Sequence, residues 1–141
     1  MKFAKLVFLV AGIYGLIVML PQYFLESKIG VDSPPPITHP EFYYGFIGVT
    51  VAWQIVFLVL SSDPVRYRPM MIPAVLEKLT FAPAIAVLFV QQRVSSLMLA
   101  AAGIDLLLGI LFVAAYLKTP SHPPQAHQLS WSTEIDKQAK A

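Results

Sequence analysis

Four apolar runs, at about residues 3–24, 41–60, 70–90 and 94–116, fill most of this 141-residue chain. Each meets the roughly 20 residues that a helix needs to cross a hydrocarbon core of about 30 Å. Backbone N–H and C=O groups in lipid must be paired within the segment, and a helix does that. Hydrophobic residues make up 57% of the chain and charged residues 13%, far from the balance of a soluble domain. The expected fold is therefore all-α, an integral membrane up-down four-helix bundle over residues 1–118. A polar tail, residues 119–141, should follow as a flexible cytoplasmic segment.

The first run follows Lys2 and Lys5 and superficially resembles a secretory signal. It leads into Pro21, Tyr23 and Phe24 instead of a small-residue cleavage site, and three more runs come after it. An uncleaved first span is the expected outcome. Lys2, Lys5, Arg66, Arg68 and Lys118 flank the runs on one side, Lys28 and Arg93 on the other. Basic flanks are retained in the cytoplasm, so both termini are expected there, with the chain in the cell (inner) membrane.

The connections carry their own signals. Residues 25–37 read as an outer loop stiffened by Pro34, Pro35 and Pro36. Thr38 and Glu41 have capping-box spacing, with Ile37 and Phe42 as the matching hydrophobic staple. Ser61-Ser62-Asp63-Pro64 reads as a cap followed by a first-turn proline, and Arg66, Tyr67 and Arg68 should sit at headgroup level. On the third run Pro83 cannot donate to the carbonyl of Leu79 and is expected to bend the helix, unless Thr80 or a neighbouring helix satisfies the backbone there.

Inside the apolar runs lie Gln54, Glu77, Lys78 and Asp105, groups that lipid cannot solvate. Counting about 1.5 Å per residue from the cytoplasmic helix ends puts Gln54 near ~9 Å, Glu77 near ~10 Å, Lys78 near ~12 Å and Asp105 near ~16 Å. Tyr14 on the first span comes out near ~15 Å. All four helices can thus contribute to one polar layer. A hairpin turning near Arg93 levels Lys78 with Asp105 to within a turn, which makes them the expected ion pair. Glu77 points about 100° away from Lys78 around the helix, leaving Gln54 or Tyr14 as its candidate partner. Two readings of the layer stand: mutual glue that sets helix register, or a site for a proton or lipophilic ligand built on the surplus carboxylate. Interhelical polar contacts of this kind average about 1 kcal/mol or less.

Small residues recur at helical spacing: Ala11 with Gly15, Ala82 with Ala86, and Ala101, Ala102 and Gly109 around Asp105. They suit close helix packing. At the outer mouth stand Gln22, Tyr23, His39, Glu41, Tyr43, Tyr44, Gln91 and Gln92, and the tyrosines among them read as an interfacial aromatic belt. A headgroup or quinone-ring site between His39 and the tyrosines Tyr43 and Tyr44 is the sharper alternative.

Several functions are disfavoured. A net charge of +2 with scattered basic residues does not suit nucleic acid. The chain has no cysteine, and His39, His122 and His127 make a poor metal set because the expected topology puts them on opposite sides. No haem-ligand pair, phosphate loop or nucleophile motif is visible, so no cofactor is evident and an enzyme is the less favoured class.

Pro73-Ala74-Val75-Leu76-Glu77-Lys78 on the third span and Gly103-Ile104-Asp105-Leu106-Leu107-Leu108-Gly109 on the fourth carry a resemblance. Over these two spans the chain resembles the small four-helix DoxX-like membrane proteins. That family includes subunits linked to quinone-dependent sulfur oxidation and redox homeostasis, and resemblance at this level implies fold before activity. A fainter similarity is to the four-helix family of sterol isomerases. The leading expectation is an accessory or scaffolding subunit of a larger, redox-linked membrane complex, its partners being the lipid bilayer and other membrane subunits or a homo-oligomer. The alternatives are a binder or isomerase-like enzyme for a lipophilic small molecule such as a quinone, sterol or lipid, and a small proton-coupled oligomeric transporter.

Overall fold

The computed structural model describes residues 2–121. The expected flexible tail, with His122, His127 and the apolar Leu129, Trp131 and Ile135, lies outside the described residues. The described residues form five α-helices and no strand. They are α1 (Lys2–Met19), α2 (Glu26–Asp32), α3 (Pro40–Ser62), α4 (Met71–Val90) and α5 (Ser96–Lys118). Short 3-10 turns extend α1 through Leu20–Phe24 and lead into α4 through Arg68–Met70. Four of these stretches are long and apolar enough to cross a membrane, Lys2–Phe24, Pro40–Ser62, Arg68–Val90 and Ser96–Lys118. This is the make-up of a multi-pass membrane protein.

Helix α1 lies along α3 and α4 lies along α5, giving two packed pairs. The pairs meet chiefly through α1 and α5, and only lightly through α3 and α4. Three aromatic rings knot the pairs together near the N-terminal end of α1. Phe8 stands 4.4 Å from Phe112 and 6.2 Å from Phe57, and Phe57 meets Phe112 edge-on at 4.9 Å. All three rings are fully buried among Ala4, Ala11, Leu60, Met71, Ala74 and Ala115. Alanine on α1, α4 and α5 is what lets three phenylalanines occupy one cross-section, because large and small side chains must alternate to fill the space at native density. Toward the other end nearly every large apolar side chain of α5 is exposed, the composition of a helix whose solvent is lipid.

Within the α1–α3 pair the approach is set by glycine. A Cβ on Gly12 would come within 2.9 Å of Leu58 Cγ and 3.0 Å of the Gln54 carbonyl oxygen. At Gly15 the side-chain amide of Gln54 occupies the space a Cβ would need. Gly109 plays the same part between α4 and α5, where a Cβ would stand 2.8 Å from Leu79 Cδ2 and 3.4 Å from Lys78 Cβ. Of the small-residue pairs, Ala11, Gly15, Ala102 and Gly109 are buried, but Ala86 and Ala101 are exposed.

Three local expectations are corrected. Residues 25–37 are not a wholly extended loop, because Glu26–Asp32 closes into a helix with Lys28 Nζ 2.9 Å from Asp32 at i,i+4 spacing. The N-cap of α3 is His39, with Pro40 at the first helical position and no side-chain cap bond. Glu41 therefore turns back to His39, its Oε1 lying 3.1 Å from Nδ1, and the Thr38 capping box does not form. Pro40 supplies a preset φ at N1, which outweighs the Thr38 signal two residues earlier. The staple is also missing, since Phe42 is exposed and meets the His39 ring instead. Pro83 lies inside α4, which runs on through it as a helix. Thr80 Oγ1 donates to Leu76 O at 2.8 Å, so it does not serve the Leu79 carbonyl.

Gly15→Ala should cost about 1–3 kcal/mol by overpacking against Gln54, and Gln54→Ala in the same chain should recover much of that loss. Gly103→Ala, with nothing beyond its own helix within 4 Å of the added carbon, should not destabilise and should gain up to about 1 kcal/mol of helix propensity. Thermal unfolding in detergent, followed by circular dichroism, compares the three.

Candidate functional site

Lys78 is the centre of the polar layer. It is only 5% exposed, and its ammonium must find acceptors within the protein because none exist in hydrocarbon. From Met71 it is seven residues into α4, about 10 Å along the axis, and Gly109 on α5 lets the two backbones close around it. Its Nζ donates to Asp105 Oδ1 at 3.0 Å. The same Nζ lies 3.5 Å from Glu77 Oε1 and 3.3 Å from Oε2. Below it, Nζ stands 5.5 Å from the centre of the Phe57 ring, within range of the negative π face. One cation thus holds α4 to α5 and meets α3 through an aromatic face.

The expectation that Glu77 must look to Gln54 or Tyr14 is overturned. Cα–Cβ directions 100° apart do not separate the ends of two long side chains, and the four-carbon lysine stem swings Nζ between the two carboxylates. The contact with Glu77 is the poorer one. Glu77 Oε2 makes no hydrogen bond despite its closeness to Nζ, so its hold on lysine is electrostatic. Two carboxylates converge on one ammonium, and their side chains remain 20% and 22% exposed for Glu77 and Asp105.

Gln54 is 1% exposed and belongs to the α1–α3 packing. Its Nε2 donates to Thr50 O at 3.1 Å, one turn back, while Oε1 has no hydrogen-bond partner and presses against Gly15. Tyr14 is 38% exposed and makes no hydrogen bond among the described residues. The structure therefore brings together Glu77, Lys78 and Asp105, and assigns Gln54 to a separate contact.

The residues expected at the outer mouth fall into two sets. Tyr43 donates to Gln22 O at 2.6 Å and Tyr44 donates to Glu26 Oε2 at 2.7 Å, with Tyr44 stacked on Tyr23 at 6.1 Å between centroids. These contacts clamp the start of α3 to the end of α1 and to α2. His39 instead pairs with Glu41 and Phe42, and both its partners lie on the first turn of α3.

Sequence reasoning missed a fourth polar assembly. Arg68 donates from Nε to Thr119 O at 2.7 Å, and its guanidinium lies 3.9 Å over the Tyr116 ring. It ties the start of α4 to the end of α5, where helix carbonyls lack intrahelical partners. An arginine and a tyrosine at the ends of neighbouring antiparallel spans were the only signal. Among the described residues no group of three His, Cys, Asp or Glu side chains is placed to hold a metal ion.

No family model matches this chain, and no curated protein or solved structure is significantly similar to it. The site must be judged on its own chemistry.

Lys78→Met should be the most damaging change in the layer, lowering stability by about 3 kcal/mol because two carboxylates are left without their cation. Asp105→Asn should cost about 1 kcal/mol, since lysine keeps Glu77 and an amide acceptor. Equal losses for the two variants in detergent unfolding would contradict the shared-lysine arrangement.

Proposed function

We propose that this chain is an accessory or scaffolding subunit of a larger membrane assembly. The observation that carries the reading is that the Glu77–Lys78–Asp105 cluster reaches the helix surface. About a fifth of each carboxylate side chain stays uncovered, at a level where the helices are otherwise clothed in exposed Leu76, Ile104, Leu106 and Leu107. Glu77 Oε2 is itself buried without a hydrogen-bond partner, so it is the edge of the cluster that reaches the surface, and ionisable side chains at this depth face protein or a cavity. A helix from a neighbouring subunit, bringing a hydrogen-bond donor, would cover it. In this reading Lys78 and Asp105 form an intramembrane ion pair that fixes register, and Glu77 supplies the surplus negative charge the neighbour meets. The DoxX-like resemblance of α4 and α5 makes a redox-linked complex the class of assembly proposed.

Extraction in mild detergent should yield this chain with a second polypeptide or further copies of itself, and Glu77→Gln should weaken that association without unfolding the chain. A strictly monomeric protein with no co-purifying chain would overturn the proposal.

The same reading sets the four spans as an up-down bundle in the cell's inner membrane, with both termini in the cytoplasm. The chain has no cysteine, so single introduced cysteines report sidedness cleanly. A cysteine at Ser33 should react with an impermeant maleimide in intact cells, and one at Ser121 only after the membrane is opened. The reverse pattern would invert the topology.

A further inference from the structure

We propose that the end of the molecule bearing Arg66, Arg68 and Lys118 binds the phosphate group of an anionic phospholipid, with Arg68 as the residue that grips it. The inference is independent of the subunit reading above. It starts from the Arg68 clasp. Nε is committed to Thr119 O and the guanidinium plane is stacked on Tyr116, so the side chain is held before any ligand arrives. Nη1 and Nη2 make no hydrogen bond among the described residues. They form a fork whose geometry matches two oxygens of a phosphate, and a preset arginine loses little freedom on binding.

Charge complementarity points the same way. Arg66 and Arg68 stand in the α3–α4 connection and Lys118 ends α5, with its Nζ 4.7 Å over the ring of Phe3 on α1. Lys2 and Lys5 begin α1 at that same end. The acidic group there among the described residues, Asp63, has its Oδ1 engaged by the backbone N–H of Arg66 at 3.2 Å. The opposite end is different in kind: Lys28 is paired with Asp32, Arg93 is the other basic residue there among the described residues, and Glu26 and Glu41 offset it. Tyr116 and Phe3 lie at the level of the basic groups, as aromatic side chains do where acyl chain meets headgroup.

A lipid phosphate and free inorganic phosphate share this chemistry, and the membrane source is the one the surrounding aromatic and apolar groups favour. The test uses the full chain in detergent micelles doped with phosphatidylglycerol or phosphatidylcholine, read by native mass spectrometry. Wild type should retain phosphatidylglycerol over phosphatidylcholine, and each basic charge removed should reduce retention about fivefold. Arg68→Gln also loosens the tie to Thr119, so its unfolding temperature is measured alongside. Arg66→Gln with Lys118→Gln leaves that tie intact and should still lose retention. Lys28→Gln, at the far end, should retain lipid as wild type does. Retention indifferent to both the Arg68 and the Arg66/Lys118 changes overturns the site. Inorganic phosphate binding as tightly as the lipid in lipid-free micelles overturns the membrane source.

Discussion

The ammonium of Lys78 sets the terms for the rest of this structure. Placed in the body of an apolar helix, it needs anionic acceptors, a close neighbouring backbone and a surface that tolerates positive charge. Each is met by a different element: Asp105 on α5, Glu77 beside it on α4, the missing Cβ of Gly109, and the face of Phe57 on α3. Phe57 also belongs to the aromatic knot with Phe8 and Phe112. The polar layer and the apolar core are therefore one continuous object, and a shift of α4 along α5 would break both.

The two ends of the molecule are built for different surroundings. At one end the four long helices share a packed core of phenylalanine and alanine, closed by the Arg68 clasp on Tyr116 and Thr119. At the other, each pair is held by its own devices, tyrosine hydroxyls on α3 gripping Gln22 and Glu26, and Ser95 capping α5 through Met98 N. The sparse contact between α3 and α4 is consistent with a molecule whose remaining surface is completed by lipid or by another subunit.

Much of the architecture was legible from residue order because apolar run length alone decides how many helices can cross a bilayer. The level match of Lys78 with Asp105 was legible too, since a short hairpin turn fixes depth on both strands. Three features escaped for physical reasons. The Glu77 contact was not legible because Cβ direction governs where a side chain starts and not where a flexible lysine ends. The start of α3 departs from the Thr38 capping box because Pro40 presets the first helical φ and makes His39 the N-cap. The Arg68 clasp joins residues far apart in the chain, and no local pattern encodes such a meeting. Tyr14 shows the converse limit: its depth suited the layer, but the rotation of α1 leaves it exposed.

If Lys78 holds α4 to α5 through Asp105, the two positions are energetically coupled in a bilayer, and a double-mutant cycle measures that coupling directly. Unfolding free energies of wild type, Lys78→Met, Asp105→Asn and the double variant, determined in lipid bicelles, give the interaction term. A favourable coupling of about 1 kcal/mol or more is predicted. Strict additivity, with no coupling between the two positions, would contradict the central role given to this lysine.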